Sequence, residues 1–263
     1  MRFTKMHGLG NDYLYFYGDL KNPEEWARRL SDRHFGIGSD GMITIGSSDS
    51  ADFKMRIFNA DGSEAMMCGN GIRCVGKYVY DKGYTDKKRL KIETLSGEKY
   101  LSLHTRGGKV TEVTVSMGKS VADPPVTLDT VYGGVKITPV SMGNPHAVIF
   151  VENAEAAPLT TVGKALEHHP YFQNGVNVEF VQVIDRNTLR MRVWERGSGV
   201  TMACGTGACA SAAAAIQAGF CDRESDITVC LDGGKLKIKM LADHSVMMTG
   251  PAASVCECEV EEA

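Results

Sequence analysis

The chain has 263 residues, 43% of them hydrophobic and 23% charged, with a net formal charge of −3. That length accommodates one large domain or two small ones with a sizeable core, and the mildly acidic balance lacks the basic face that nucleic acid or an anionic membrane surface calls for. No apolar run reaches the roughly 20 residues that span a bilayer, and "MRFTKMHGLG" lacks the apolar region of a signal peptide, so a cytoplasmic protein is expected.

From the N-terminus, "GLGN" leads into a strand, "YLYFYG". A helix follows over "NPEEWARRLSDRHF", with Asn22 as N-cap, Pro23 at the first helical position, acids in the first turn, and Trp26 and Leu30 on one face. "GIGSDG" (residues 36–41) matches a dinucleotide fingerprint in letters only. It follows a helix and opens a strand, "GMITIG", the reverse of the strand–turn–helix order that nucleotide binding requires. After the strand "FKMRIFN" comes "ADGSEAMMCGNGIRC", then a helix ending at Gly83, where glycine suits the left-handed C′ position. "RLKIETLS" and "KVTEVTVSMG" are further strands. The two prolines in "GKSVADPPVTL" (Gly118 to Leu128) suggest an exposed connector.

The same order then recurs. "SMGN" precedes a strand, "AVIFVE"; "APLTTVGKALEHH" is the second helix; "NVEFVQVID" and "LRMRVW" are strands; "GSGVTMACGTGACAS" opens a buried, alanine-rich helix ending at Gly219; "DITVCLD" and "KLKIKML" close the series. Met55–Tyr84 aligns without a gap on Met191–Phe220, from Cys68 to Cys204 an offset of 136, pairing Met55/Met191, Arg56/Arg192, Met66/Met202, Cys68/Cys204, Gly69/Gly205, Gly71/Gly207 and Gly83/Gly219. Asn11 and Asn144 align at an offset of 133. The fold expected is α+β: two pseudo-symmetric lobes from an internal duplication, over residues 1–118 and 119–251, with a C-terminal strand at about 252–263 returning to the first.

Eight cysteines in a chain neither small nor visibly secreted point to thiols rather than a disulfide framework. The spacings Cys68-x5-Cys74 and Cys204-x4-Cys209 are not those of structural zinc sites and no CxxC occurs, so no metal is expected. Cys74, Cys209, Cys221 and Cys230 read as packing residues. In "SVCECEVEEA" the period of two predicts that Cys256 and Cys258 are core-facing strand residues.

Cys68 and Cys204 differ from these in context. Each stands where a strand ends and a helix begins, against small glycines that let a ligand approach the backbone. The first amides of a helix lack intrahelical acceptors and, with the helix dipole, form an anion site that also favours a thiolate. Each half thus supplies a reactive sulfur beside a carboxylate-sized cradle. Two such sulfurs facing one another would leave the α-carbon of a bound amino acid between them, the geometry for inversion: one group removes a proton from one face and the other returns a proton to the opposite face. Oxidation to a Cys68–Cys204 disulfide would abolish that activity. No Schiff-base lysine or phosphate cradle is needed, so no cofactor is expected.

At these residues the sequence resembles the diaminopimelate epimerase family. The resemblance runs over essentially the whole chain, through "MHGLGNDY", "RHFGIGSDG", "FNADGSEAMMCGNGIRC", "GNPHAV", "GVNVEFV" and "WERGSGVTMACGTGACA". It implies two lobes, each a mixed or antiparallel sheet wrapped around a central helix, and cofactor-independent interconversion of LL- and meso-diaminopimelate on the route to lysine and peptidoglycan. It implies that Cys68 and Cys204 are the acid and base. Gly69, Asn70, Gly205 and Thr206 would hold the α-carboxylate. His146 and Glu195 would lie near the reacting centre, orienting the amine and helping to set the thiol/thiolate pair. Asn11, Asn59, Asn144, Asn177 and Arg196 would grip the rest of the substrate, Arg196 as a bidentate partner for the distal carboxylate. A homodimer is also implied. Some relatives carry a glutamine after the aspartate of "GSDG", and Gly41 has no side chain to replace it.

Local readings compete at several of these positions. Asn11, Asn59 and Asn177 could serve as turn residues, Glu195–Arg196 as a solvated pair, and His146 as a satisfied core histidine. For the whole chain, the same chemistry on another amino acid is the nearest alternative, since racemases of proline, hydroxyproline or histidine use related folds with paired cysteines. A cysteine hydrolase with Cys204 as nucleophile and His146 as base needs one reactive cysteine and would leave the duplication without a purpose. A thiol-based metal or redox module is a third reading, which metal analysis of the purified protein tests.

Overall fold

The computed structural model describes residues 1–261, which form two compact units: Met1–Val115 together with the chain from Gly250 onward, and Ser116–Thr249. Both are sheet-dominated, mixed α+β assemblies with few helices.

In the first unit the strands stand in the order Ala253–Glu259, Arg2–Gly8, Asn11–Tyr17, Gly41–Gly46, Phe53–Asn59, Arg89–Thr94, Gly97–Arg106 and Lys109–Lys119. Successive neighbours are antiparallel, antiparallel, parallel, antiparallel, parallel, antiparallel and antiparallel. Each parallel pair is bridged by a longer crossover, as the geometry of parallel strands requires. Helix α1 (Pro23–Ser31) makes the first crossover and helix α2 (Gly69–Asp81) the second.

Helix α1 buries Ala27 and Leu30 in a core with Phe3, Leu14, Met42 and Phe58, Trp26 packing at its margin. Asn22 caps it with its backbone in the left-handed region; its side chain donates to Glu25 Oε2 at 3.4 Å and makes no capping bond to a backbone amide. The helix stops at Ser31, short of the stretch to Phe35 that composition suggested. The carboxylate of Asp32 accepts from the amides of His34 and Phe35, both at 2.7 Å, and turns the chain out of the helix. Helix α2 packs on Arg2–Gly8, Asn11–Tyr17 and Gly97–Arg106, burying Ile72, Cys74, Val75 and Val79 completely.

The second unit orders its strands Val126–Thr130, Gly133–Ser141, Pro145–Phe150, Asn177–Asp185, Thr188–Glu195, Asp226–Leu231, Gly234–Met240 and Ser245–Pro251. Its pairings run antiparallel, antiparallel, parallel, antiparallel, parallel, antiparallel and antiparallel. Residues 118–128, read as a connector, carry the two-residue strand Val121–Ala122 on the edge of Gly133–Ser141 and the start of Val126–Thr130. "APLTTVGKALEHH" forms no single α-helix: a wide π-type turn, Leu159–Gly163, runs into the four-residue α3 (Lys164–Glu167). The β-branched run Thr160–Val162 and Gly163 favour α-helix poorly. Helix α4 (Gly205–Gln217) is buried on every side from Gly207 to Ala215, its alanines letting the surrounding strands close in.

The tail corrects one expectation. Ala253–Glu259 pairs antiparallel with Arg2–Gly8, but Cys256 is exposed and Cys258 only half-buried. The alternation is real, but its inner face is covered only in part: Cys258 packs at the margin of the Phe3 core and Cys256 lies beyond it, so period two does not translate into full burial. Glu262 and Ala263, at the end of the stretch read as this strand, lie outside the described residues. No helix among the described residues is long and apolar enough to cross a membrane.

Candidate functional site

Each of the two glycine-flanked cysteines is the N-cap of a 13-residue helix, in extended backbone conformation, and accepts a hydrogen bond from the amide three residues on. For Cys68 the Gly71 amide lies at 3.3 Å; for Cys204 the Gly207 amide lies at 3.4 Å. The sulfur thus takes the place usually held by a serine or aspartate oxygen at a helix start, where the dipole favours negative charge.

Around Cys68, residues distant in sequence converge. The thiol donates to Asn11 Oδ1 at 3.4 Å, and Asn70 Nδ2 donates to the same oxygen at 3.4 Å. Asn11 Nδ2 in turn donates to Asp40 Oδ2 at 2.7 Å. Arg33 bridges Asp40 and Asp12, both at 2.9 Å, so the "GSDG" loop fixes the amide that meets the thiol. Burial, then the neighbouring Cys68 and Asp40, hold the Tyr13 phenol protonated far beyond its ordinary range. Gly41 is needed for close approach: a Cβ there would lie 2.2 Å from the Phe58 carbonyl oxygen. Asn59 is not drawn into this group; its Nδ2 donates to Ser63 Oγ at 3.0 Å within its own turn.

Arg73 was not singled out by sequence. Wholly buried, it donates to Gly69 O at 3.0 Å, Asn70 Oδ1 at 3.1 Å and Pro251 O at 3.1 Å, tying the first turn of α2 to the returning tail. Its signal is a cation among the apolar residues Ile72, Cys74 and Val75 that α2 buries.

Around Cys204, 4% exposed, the surroundings are more polar and more enclosed. Its sulfur lies 3.6 Å from the Thr206 hydroxyl, which accepts from Asn144 Nδ2 at 3.4 Å. Asn144 Oδ1 lies 3.2 Å from His146 Nε2, and His146 Nδ1 lies 2.7 Å from Glu179 Oε1. His146 and Glu179 are both fully buried. Glu179 also escaped the sequence reading, although a carboxylate amid the apolar "NVEFV" is a visible oddity. Burial, followed by the charges of Glu195 and Glu179, pushes the Cys204 thiol well above its usual range. Burial likewise raises the Glu195 carboxyl, against hydrogen bonds from Thr201 and Cys204 that lower it. Thr201 donates its hydroxyl to Glu195 Oε1.

Asn177 and Arg196 form a neighbouring arrangement. Asn177 Oδ1 accepts from the Arg196 amide at 2.9 Å, and Arg196 Nη1 donates to Asn174 O at 2.8 Å, the exposed side chain laying its Cγ and Cδ methylenes over Gly175. Glu167, again unread in the sequence, accepts from Trp194 Nε1 and the Gly197 amide, both at 2.7 Å. It thereby pins the turn that carries Glu195 and Arg196. Burial works against its ionisation, but these two donors prevail and hold its carboxyl below the usual range.

Cys74, Cys209 and Cys221 are buried packing residues; burial pushes the Cys74 thiol up to about 11. Among the described residues no group of three or more His, Cys, Asp or Glu side chains is placed to hold a metal ion.

The family model described as Diaminopimelate epimerase matches residues 3–122 and 138–255. The Diaminopimelate epimerase of Acetivibrio thermocellus is 52% identical over 280 residues, covering 99% of each chain. That of Bacteroides thetaiotaomicron is 53% identical over 265 residues, covering 99% of this chain and 98% of its own. Among solved structures, a Bacillus anthracis phenazine biosynthesis protein superimposes with a TM-score of 0.79 at 17% identity over 100% of this chain and 99% of its own. A probable proline racemase from Agrobacterium radiobacter gives 0.76 at 17% over 99% and 92%. At such identities these two show a shared fold.

Proposed function

The chain belongs to the diaminopimelate epimerase family, and from that premise we propose that it interconverts LL- and meso-diaminopimelate by a two-base reaction, Cys68 and Cys204 working on opposite faces of one α-carbon. The observation that carries this reading is the recurrence, in each unit, of a cysteine capping a helix whose first turn is Gly-x-Gly. Two identical devices suit a reaction that needs two identical tools. We further infer that the units are pseudo-symmetric lobes from a duplication, each a sheet around a central helix, α2 in one and α4 in the other. The matching order of parallel and antiparallel pairings supports this, as do the seven identical residues at an offset of 136 between Cys68 and Cys204.

In this mechanism the amides of Gly69, Asn70, Gly205 and Thr206 cradle the α-carboxylate, stabilising the negative charge that spreads into it as the α-proton departs. The Cys68 thiolate abstracts that proton and becomes a thiol. Cys204 delivers its own proton to the other face and becomes a thiolate; in reverse the two exchange roles. Buried beside two carboxylates, Cys204 holds its proton strongly, which suits it to the donor role in this direction. Cys68 becomes the base once the proton it directs at Asn11 Oδ1 has left. His146 and Glu195 orient the substrate amine. Asn11, Asn59, Asn144, Asn177 and Arg196 hold the distal arm, Arg196 pairing with the second carboxylate. Asn59 serves this role only after exchanging its hydrogen bond to Ser63.

The test is conversion of LL-diaminopimelate by the purified protein and its variants. Cys68→Ala and Cys204→Ala should each abolish inversion, and Arg196→Leu should raise KM by roughly tenfold or more, as expected for a lost charge-assisted pair. Inversion at the wild-type rate by either alanine variant would refute the two-thiol assignment. An unchanged KM in the Arg196 variant would refute the substrate.

A further inference from the structure

Glu179 has no role in the reaction so far described, yet it is the most enclosed charge in the second unit. It sits inside the strand Asn177–Asp185 with no exposed surface. Its Oε1 takes the Nδ1 side of His146, while its Oε2 is a buried oxygen without a hydrogen-bond partner among the described residues. A carboxylate kept under such conditions is expensive, and a neutral side chain of the same shape would be cheaper for folding alone.

What surrounds it is a closed circuit. From Glu179 the path runs to His146, to Asn144, to the Thr206 hydroxyl and to Cys204 Sγ. From Cys204 it continues to the Gly207 amide, and a Cβ at residue 207 would fall 2.7 Å from Glu179 Oε1 and 3.2 Å from Cys204 Sγ. The carboxylate therefore reaches the sulfur's neighbourhood by two routes: through the hydrogen-bonded side chains, and directly across the bare face of Gly207.

We propose that Glu179 is a positioning residue for the proton transfers of Cys204: it accepts Nδ1–H of His146 and so fixes the ring, with Nε2–H donating to Asn144 Oδ1 and keeping the amide and the Thr206 hydroxyl in place around the sulfur. An ionised carboxylate only accepts hydrogen bonds, so the ring nitrogen beside it must carry the proton. Its charge adds a second effect. The titratable groups facing the thiol are Glu179 from its strand, His146 from Pro145–Phe150 and Glu195 from Thr188–Glu195, and both carboxylates oppose formation of the thiolate. Glu179 thus keeps Cys204 protonated in two ways, through the ordered side chains and by its own charge.

The assignment rests on the two-thiol reading for its kinetic arm only. Its direct test is the pH dependence of Cys204 alkylation by iodoacetamide, followed by mass spectrometry of the peptide containing Cys204, in wild type, Glu179→Gln and Glu179→Asp. The glutamine keeps the shape and an acceptor for Nδ1–H but loses the charge. Its alkylation midpoint should fall by about one pH unit or more, while the aspartate variant stays close to wild type. With LL-diaminopimelate, kcat of Glu179→Gln should drop by about tenfold to a hundredfold, the scale for partners that orient a reacting group, with little change in KM.

A wild-type measurement needs no variant to fold: ¹⁵N NMR of the His146 ring should show Nδ1 protonated. A glutamine variant whose alkylation profile coincides with wild type would overturn the proposal, as would a His146 ring protonated on Nε2 alone. If wild type left LL-diaminopimelate unchanged while the alkylation midpoint still moved, the substrate assignment would fail and the role of Glu179 would stand.

Discussion

The two sulfurs share a backbone setting and differ in everything else. Cys68 is half-buried against an amide oxygen, whereas Cys204 is enclosed with Glu195 and Glu179. That asymmetry gives a pH prediction with a definite sign. In the proposed mechanism Cys204 must be a thiol to donate, and each nearby negative charge makes losing its proton harder. Removing one by Glu195→Gln lets the thiolate form at lower pH, so the alkaline limb of kcat/KM should move to lower pH; a shift to higher pH would contradict the account. Residue-scale legibility follows from the same contrast. The shared helix-start setting of the two cysteines was legible because glycines flank them twice over. Glu179, Arg73 and Glu167 were not, because each acts from inside an element whose pattern announces only strand or helix. Asn59 looked like the other asparagines, but its amide is satisfied by Ser63 in its own turn.

Among the elements, the strands that could be read were placed closely, since "GMITIG" and "FKMRIFN" coincide with Gly41–Gly46 and Phe53–Asn59, whereas Arg2–Gly8, Gly97–Arg106, Gly133–Ser141 and Ser245–Pro251 went unread. Helices that carry caps and glycine stops were legible too. The stretch at Ala157–His169 was not, because a mixture of prolyl, β-branched and glycyl residues leaves the turn type to tertiary packing. A glycine just past the end of α2 and one in the first turn of α4 separate two physical effects. Gly83 ends α2 at φ +79 with nothing within 4 Å of an added Cβ, so Gly83→Ala should cost about 1–2 kcal/mol from left-handed strain alone and leave kcat unchanged. Gly207→Ala presses a methyl between Glu179 and Cys204 and should cost about 1–3 kcal/mol while severely reducing kcat. Chemical denaturation and steady-state assays on the pair would read both; equal kinetic damage from the two would sink the distinction.

At the level of the whole chain, the first unit is completed by residues that leave it at Val115 and return at Gly250. The returning strand pairs along Arg2–Gly8, and Pro251 O takes the Arg73 guanidinium that also holds the first turn of α2. Truncation after Thr249 should therefore lower Tm by roughly 5–10 °C and reduce activity through Cys68, far from the cut in sequence. A truncated chain with wild-type Tm would show the tail to be dispensable. The duplicated order of motifs was legible at this scale from one sequence. The faces of the tail were not, because alternation states which residues share a side and leaves open whether anything covers it.

The central claim is that two thiols serve one α-carbon, and early turnover of LL-diaminopimelate in heavy water tests it most directly. With one base on each face, the meso product at low conversion should carry deuterium at the inverted carbon, while recovered LL substrate keeps its protium. Protium retained in the product, or substrate that exchanges as fast as product forms, would mean a single base working on both faces and would contradict the account.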